Sequence, residues 1–310
     1  MNNNILLPNT IIAGTNKAGT TSIFRYLGDH PDVCTASVKE TRFFTKYNHN
    51  DAGENINEYS KYFRNCAQET PVLLEASPQY MQGGLATAKL IHKYLPDVRL
   101  VFVLREPVER MISFFHRNQQ RGSKQTYRLS ADDFVEKALS YIQNDTELTT
   151  EQHSSPIARQ IRSVRYAPLL DAYYDVFPSE QIYVTFFDDL RNDTQAFMKD
   201  IARFLHIDPG FYSQYEFHIE NKTRSYRSNS LQHIAFRLNM ALEPLLNSAP
   251  GLRRKLRNLY NLLNQSKDTT LTIDPGSVEK LRNSFIIYNK ELSKCLLNKQ
   301  ANIQLPKWLE

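Results

Sequence analysis

The segment from Gly14 to Thr21, GTNKAGTT, constrains the fold of this chain more than any other stretch. Its two glycines stand five residues apart, as in the phosphate-binding motif G-x-x-x-x-G-K-[ST], but Thr20 occupies the position of the motif's lysine. The lysine lies three residues earlier, at Lys17. The spacing therefore predicts a backbone cradle for an anionic group other than the β- and γ-phosphates of ATP.

This loop lies between a predicted strand and a predicted helix. Residues 9–15 form a short apolar run, and residues 20–27 carry apolar side chains at helical spacing. Further strands are predicted at 71–76, 99–104 and 181–187, and further helices at 84–94, 108–120, 131–143, 157–177 and 193–205. Because strands and helices alternate, we expect an α/β fold with a P-loop-like central parallel sheet flanked by helices.

The C-terminal third differs from the rest of the chain. Residues 228–265 and 276–298 have helical patterns, and residues 266–275 are the expected joint between them. The length of 310 residues suits one large domain. We therefore expect a single domain, 1–310, with an α/β core at about 9–227 and a helical C-terminal region at about 228–310.

Composition narrows the cellular context. The chain carries no apolar run near the ~20 residues that span a bilayer, and its first residues do not resemble a signal peptide. Its only cysteines are Cys34, Cys66 and Cys295, an odd and sparse set that favours a reducing compartment and argues against disulfides. We therefore expect a cytoplasmic protein, without a transmembrane segment or a metal site.

The net charge of +5 favours anionic ligands in general. Nucleic acid is not an expected partner, because the basic residues are not set within a recognition motif. The basic segment 252–263 has leucines at helical spacing with arginines between them. It is either an amphipathic helix packed on the domain, which the pattern favours, or a peripheral contact for an anionic or membrane surface.

Charged and hydroxyl residues follow the predicted strands. Lys17, Ser77 and Arg105 each come after a strand, and parallel strands present their carboxyl ends at one edge of the sheet. Ser113 lies two helical turns after Arg105, and an arginine with a hydroxyl suits a terminal phosphate. An Arg–Glu surface pair involving Arg105 is the competing interpretation, and these residues alone leave both open.

The segment Lys39 to Phe44, KETRFF, places a carboxylate between cations and two aromatic residues. Glu40 could serve as a general base at the floor of a pocket. It could equally be a loop glutamate held in salt bridges, and taken alone the pattern favours that second interpretation.

Four segments in order resemble the motifs of sulfotransferases, in particular the heparan-sulfate-type and bacterial enzymes. They are GTNKAGTTSIFRYLGDHPDV, KETRFF, LLEASPQY and RLVFVLREPVERMISFFHR. The resemblance extends over most of residues 10–227. It implies that the donor is 3′-phosphoadenosine 5′-phosphosulfate (PAPS) and that no metal takes part.

The resemblance also implies residue roles. Glu40 falls on the position of the catalytic base, and Lys17 on that of the group stabilising the leaving phosphate. Arg105 and Ser113 match the pair that holds the 3′-phosphate, and Arg227 lies in a segment similar to the loop over the adenosine. The loop for the 5′-phosphosulfate corresponds to Lys17, Ala18, Gly19, Thr20, Thr21 and Ser22.

The expected activity is therefore in-line transfer of a sulfuryl group to a hydroxyl or amine. The acceptor stays open between a saccharide, a lipid, a small molecule and a peptide. Glycosaminoglycan-modifying relatives often carry a lysine where this chain has Ala76, so a glycosaminoglycan is not implied. Two other functions compete: a P-loop kinase or nucleotide hydrolase with a displaced lysine, and a non-catalytic anion-binding module.

Overall fold

A computed structural model describes residues 5–46, 55–120, 129–143, 155–218, 225–226, 265–266, 273–300 and 303–310. Its β-strands are β1 Thr10–Gly14, β2 Val33–Thr35, β3 Val72–Ala76, β4 Arg99–Leu104, β5 Ile182–Phe186, β6 Ser225–Tyr226 and β7 Gln265–Ser266. The helices in the first half are α1 Thr20–Gly28, α2 Phe43–Lys46, α3 Ile56–Ser60, α4 Gly84–Tyr94, α5 Pro107–Gln120 and α6 Ala131–Gln143. The later helices are α7 Pro156–Val164, α8 Tyr166–Tyr174, α9 Phe187–Asn192, α10 Thr194–Leu205 and α11 Pro275–Lys299.

The central sheet has five parallel strands in the order β2-β3-β1-β4-β5. In the register of its middle strands, Ile12 lies beside Ala76 on one side and Val101 on the other. All residues of β1 and β3 are buried, as expected for parallel strands covered on both faces. The predicted α/β class and parallel sheet are confirmed. The edge strand β2 was not predicted, because three residues are too short to show a period.

The described residues fall into two compact units. One contains the central sheet and lies within Met1–Arg110, Ser163–Glu220 and Phe285–Glu310. The other lies within Met111–Arg162 and Asn221–Ser284 and includes α6 and the antiparallel pair β6–β7. The expectation of one domain over 1–310 stays a prediction.

One predicted helix is broken in the structure. Residues 157–177 were expected to be continuous, but α7 ends at Val164 and α8 begins at Tyr166, with Arg165 outside helical geometry at ψ 81°. The cause is Pro168, whose ring would clash with the carbonyl of residue 164 and which has no N–H to donate to it. The proline is tolerated because it lies in the first turn of the new helix.

The C-terminal predictions are only partly covered. α11 confirms the helix expected at 276–298. Gln265, expected to end a helix, instead lies in the short strand β7. Residues 227–264, which contain Arg227 and the basic segment 252–263, lie outside the described residues, as do 267–272 of the expected joint.

The expectation that the cysteines stay reduced is wrong for two of them. Cys34 and Cys66 form a disulfide, and Cys295 is a buried free thiol. Cys34 lies on the edge strand β2, and Cys66 follows a short 3₁₀ helix, Lys61–Phe63, beside it. Thirty-two residues separate the two cysteines, so their proximity arises from the fold. Disulfides persist in oxidising compartments, so this bond removes the support that cysteine usage lent to a cytoplasmic location.

We expect the Cys34–Cys66 bond to contribute about 3–4 kcal/mol to the free energy of unfolding, because it closes a long loop in the unfolded chain. Thermal unfolding of Cys34→Ser and Cys66→Ser, with and without reductant, measures this contribution. Cys295→Ser is the matched control. Equal melting temperatures of wild type and Cys34→Ser in the absence of reductant would show that the bond is not stabilising.

Candidate active site

The chain leaves the carboxyl edge of the central sheet after each strand, and four of these connections carry candidate residues. The loop after β1 carries Lys17, the loop after β2 carries Glu40, the turn after β3 begins at Ser77, and Arg105 directly follows β4. Lys17 and Arg105 come into contact there, because their strands are neighbours. Ser77 instead contacts the loop that carries Glu40, because β3 is the neighbour of β2.

The loop between β1 and α1 has the backbone of an anion site. Lys17 and Gly19 both adopt left-handed geometry, at φ 70° and 77°. Such turns just before a helix form concave nests of N–H groups, and the first helical amides have no carbonyl within the helix to donate to. A Cβ at Gly19 would collide with Leu190, so glycine is required there by contact as well as by φ. This loop therefore has the conformation predicted for it.

Two arginines hold consecutive carbonyl groups of this loop. Nη1 of Arg105 donates to the carbonyl oxygen of Lys17 at 3.1 Å, and Nε of Arg110 donates to that of Asn16 at 2.8 Å. These two peptide bonds are trans, so each carbonyl and the N–H that follows it point in opposite directions. The amides of Lys17 and Ala18 consequently face away from the guanidinium groups. The arginines thus set the polarity of the loop.

Arg110 is fully buried, which makes it a structural part of the site. Its Nη1 donates to the hydroxyl of Ser163 at 2.8 Å. Burial lowers the pKa of Arg110, while the hydroxyl of Tyr166 opposes that shift through its charge and a hydrogen bond. The hydroxyl of Tyr166 in turn donates to the carbonyl oxygen of Arg105 at 2.8 Å, which ties the end of β4 to α8.

Arg105 is also held from its outer side. Its Nε and Nη2 donate to one carboxylate oxygen of Glu109 at 3.2 and 3.1 Å, and its guanidinium lies 4.5 Å from the centre of the Phe187 ring. Only 19% of the Arg105 side chain is exposed. The Arg–Glu pair that competed with a phosphate role is therefore present, in a half-buried setting.

For the other described residues predicted to bind the sulfate donor, the structure shows which element carries each one and how far it is buried. Ala18 is buried in the loop and Thr20 is buried at the start of α1, where Thr21 and Ser22 are half-buried in the first turn. Ser113 is half-buried in α5, and its pairing with Arg105 stays a prediction. Among the described residues, no group of His, Cys, Asp and Glu is arranged to hold a metal, and no helix is long and apolar enough to cross a membrane.

Glu40 lies in a strained loop, with its carboxylate surrounded by donors. Its φ of 65° is left-handed, and its amide donates to the carbonyl oxygen of Ala76 at 2.9 Å. Oε2 accepts from Arg42 at 2.7 Å and from Gln79 at 2.9 Å, and Oε1 accepts from Lys39 at 3.3 Å. The salt bridges foreseen in the structural interpretation of Glu40 are thus formed.

These contacts control the protonation of Glu40. Burial by itself would raise the pKa, but the hydrogen bonds from Arg42 and Gln79 and the charge of Lys39 outweigh it and lower the pKa to about 2. The carboxylate is therefore ionised at neutral pH and can accept a proton. With three donors attached it is also a weak base, and an acceptor that displaces one of them would strengthen it.

Several residues that shape the site carried no predicted role. They include Arg110, Gln79 and Glu75. Glu75 is a fully buried acid whose carboxylate accepts a hydrogen bond from Thr41, next to Glu40 in the chain. The one sequence signal available was an acidic residue within the apolar strand VLLEA. Nothing local indicates which side chains such an acid meets, because its partner Thr41 lies 34 residues away.

Comparison with known proteins identifies the family. A model of the sulfotransferase domain matches residues 7–237. The membrane-associated sulfotransferase kil1 of Dictyostelium discoideum is 35% identical over 114 residues, which are 36% of this chain and 23% of kil1. The bifunctional heparan sulfate N-deacetylase/N-sulfotransferase of Drosophila melanogaster is 24% identical over 226 residues, 66% of this chain and 20% of that protein.

Two further relatives complete the comparison. Human carbohydrate sulfotransferase 15 is 25% identical over 256 residues, 66% of this chain and 44% of that protein, so the chain spans less than half of these curated relatives. A sulfotransferase structure from Alicyclobacillus acidocaldarius shares the fold, with a TM-score of 0.54 and 24% identity over 78% of this chain and 97% of that one. Because the family model covers well over half of the 310 residues, the chain belongs to the sulfotransferase family.

Proposed function

We propose that this enzyme transfers a sulfuryl group from PAPS to a hydroxyl or amine of an acceptor, working as a single domain. The observation that carries the proposal is the loop at 14–22, whose carbonyl groups are held by Arg105 and Arg110. That arrangement turns the successive amides away from the arginines, next to the positive N-terminus of α1, where an anion is favoured. A lysine in the loop and a threonine at the ATP-type lysine position suit a sulfated phosphate better than a triphosphate.

The donor side of the proposal assigns each predicted residue. The amides and hydroxyls from Lys17 to Ser22 hold the 5′-phosphosulfate. Arg105 and Ser113 hold the 3′-phosphate, and Arg227 contacts the adenosine. The cradle fits such a group for two reasons. Position 19 must be glycine, and two arginines hold the loop's carbonyl groups on the side opposite its amides. In this proposal Arg105 has two roles. Its guanidinium orders the loop through the carbonyl of Lys17, and from the end of β4 it also holds the 3′-phosphate.

The chemical step needs one base and one cation. The oxygen or nitrogen of the acceptor bonds to sulfur while Glu40 takes the acceptor's proton. At the same time the bond from sulfur to the bridging phosphate oxygen breaks. Lys17 stabilises the negative charge that develops on that phosphate. A general base typically contributes about 10²–10⁴-fold. Glu40 supports this role through its ionised state and its strained, tethered position.

The acceptor is proposed by class only: a saccharide, a lipid, a small molecule or a peptide. Ala76 is fully buried at the end of β3 and supplies no cation to an acceptor. Arg42 is 59% exposed beside Glu40 and is the described cation best placed to meet an acceptor group there. We also propose a peripheral membrane contact through 252–263 and a cytoplasmic location, and the Cys34–Cys66 disulfide weighs against the second.

Two other functions predict different ligands. A P-loop kinase or hydrolase requires ATP with Mg²⁺, whereas Thr20 stands where its phosphate-binding lysine belongs. A non-catalytic anion-binding module predicts instead that Glu40→Gln and Lys17→Ala retain its function.

Titration calorimetry with adenosine 3′,5′-bisphosphate tests the donor proposal directly. We expect this bisphosphate to bind at least tenfold more tightly than ATP with Mg²⁺, because Arg105 and Ser113 recognise a 3′-phosphate that ATP lacks. Adenosine 5′-monophosphate is the matched ligand control, since it lacks only that phosphate. Tight binding of ATP with Mg²⁺ and none of the bisphosphate would contradict the proposal. Incubating the enzyme with labelled PAPS and a cell extract then identifies the acceptor.

A further inference from the structure

The turn after β3 and the loop that carries Glu40 share one buried acid. We propose that Glu75 is a positioning residue, whose carboxyl group orders a set of hydroxyl groups so that they hold the Glu40 loop in place. This inference rests on the proposed function of Glu40 as the base. It concerns how the base is held, and it can be tested without donor or acceptor.

The carboxylate of Glu75 is surrounded by hydroxyl donors. Glu75 has no exposed surface, and its Oε1 accepts from Ser77 at 2.5 Å and from Thr41 at 3.0 Å. Its Oε2 accepts from the hydroxyl of Tyr59 at 3.1 Å. Burial raises the pKa of Glu75, and these hydroxyl donors oppose that shift because they stabilise the charged form.

Two of these hydroxyl groups, together with that of Tyr80, accept amides from the loop that follows Glu40. Ser77 accepts from Arg42 at 2.9 Å, Thr41 from Phe43 at 3.3 Å and Tyr80 from Phe44 at 3.4 Å. A hydroxyl has one hydrogen, and these amides occupy lone pairs. The hydrogens of Ser77 and Thr41 are therefore available to Glu75. Oε1 of Glu75 accepts both, and in doing so turns the lone pairs of both hydroxyls toward the loop.

The loop needs such tethers because its backbone is strained. Glu40 at φ 65° and Arg42 at φ 56° both adopt left-handed geometry, which is unfavourable for residues with a Cβ. The amide of Glu40 is held by the carbonyl of Ala76, and that of Arg42 by the hydroxyl of Ser77. Both tethers start from the two residues that follow Glu75 in the chain. If the Ser77 tether were lost, the loop would relax and the donors around Glu40 would separate from it.

Tyr59 separates a positioning role from mere stability. Its hydroxyl binds Glu75 just as those of Thr41 and Ser77 do, and its ring is fully buried. Among the described contacts, however, the Tyr59 hydroxyl receives no amide of the Glu40 loop. Tyr59→Phe and Ser77→Ala therefore each remove one buried hydrogen bond to the same carboxylate, and only Ser77→Ala removes a tether.

The experiment follows the protonation of Glu40 by carbon-13 NMR of protein labelled at the glutamate carboxyls, with Glu40→Gln assigning the signal. In the wild type we expect Glu40 to remain mostly ionised down to about pH 3, as its pKa of about 2 requires. In Glu75→Ala no oxygen remains to accept the hydrogens of Ser77 and Thr41, so the tethers fail. We expect the pKa of Glu40 to rise by at least about one unit, toward its ordinary value of 4.5.

Ser77→Ala keeps the test decisive if Glu75→Ala does not fold, and it should raise the pKa of Glu40 in the same direction. Tyr59→Phe should leave that pKa unchanged while losing stability to urea comparable to that of Ser77→Ala. Equal pKa values of Glu40 in Tyr59→Phe and Ser77→Ala would overturn the positioning role. Failure of the wild type to bind adenosine 3′,5′-bisphosphate would instead overturn the proposed function, so the two failures are distinguishable.

Discussion

Replacing Glu40 with glutamine is expected to lower the rate of sulfuryl transfer by about 10²–10⁴-fold, the usual contribution of a general base. Glutamine has the same shape but cannot take the acceptor's proton. The pKa of about 2 means that essentially every wild-type molecule carries the ionised form at neutral pH, so the variant loses an active group and not a minor population. Initial rates with labelled PAPS and its identified acceptor measure the effect.

Donor affinity is the second measurement on Glu40→Gln, since the carboxylate contacts Lys39, Arg42 and Gln79 rather than the loop at 14–22. Binding of adenosine 3′,5′-bisphosphate should stay within about twofold of wild type. The matched control is Glu58→Gln, because Glu58 is 55% exposed and pairs with Lys61 at the surface. A Glu40→Gln variant with wild-type turnover would remove Glu40 from the chemistry and favour its structural interpretation.

Lys17→Ala is expected to lower turnover by about 10²–10³-fold, the loss typical of one group that stabilises developing charge. The affinity for adenosine 3′,5′-bisphosphate should also fall, by about tenfold or more, because a charge-assisted contact to phosphate is lost. Calorimetry and initial rates together distinguish the two effects. Residue 17 lies at φ 70°, and alanine has a Cβ as lysine does, so the substitution leaves the backbone strain of the loop the same and removes only the side chain beyond Cβ, with its charge.

Two comparisons keep the result for Lys17 interpretable. Lys61→Ala removes an exposed lysine of the surface pair with Glu58 and should leave both measurements unchanged. Lys17→Arg retains the positive charge at the same backbone position, so it should largely restore donor affinity. It should restore turnover less, because the planar guanidinium cannot take the position of the compact lysine ammonium. If Lys17→Ala binds and turns over like the wild type, the displaced lysine has no role in the reaction.

Arg105 would be a less informative target than either residue. Its guanidinium binds the carbonyl of Lys17 and the carboxylate of Glu109. Arg105→Ala would therefore disturb the shape of the loop as well as any phosphate contact. The sequence predicted one role for this arginine, and the structure adds a second that depends on a contact 88 residues apart.

Local pattern was sufficient for the framework of the fold. The strands expected at 71–76, 99–104 and 181–187 lie within a residue of β3, β4 and β5, because buried parallel strands are apolar runs bounded by turns. The glycine loop was predictable for the same reason, as its spacing records the backbone conformation it must adopt. The helix break at Arg165 was missed, although Pro168 signals it.

The α/β class, the loop between β1 and α1, and the chemical types that follow each strand could be predicted, since these depend on neighbours in the chain. Which groups meet depends on how the chain folds. The Cys34–Cys66 bond, the grip of Arg110 on Asn16 and the contact of Glu75 with Thr41 join residues 32, 94 and 34 positions apart. A buried polar group must find its partner wherever packing brings one, and that constraint leaves no periodic trace in the sequence.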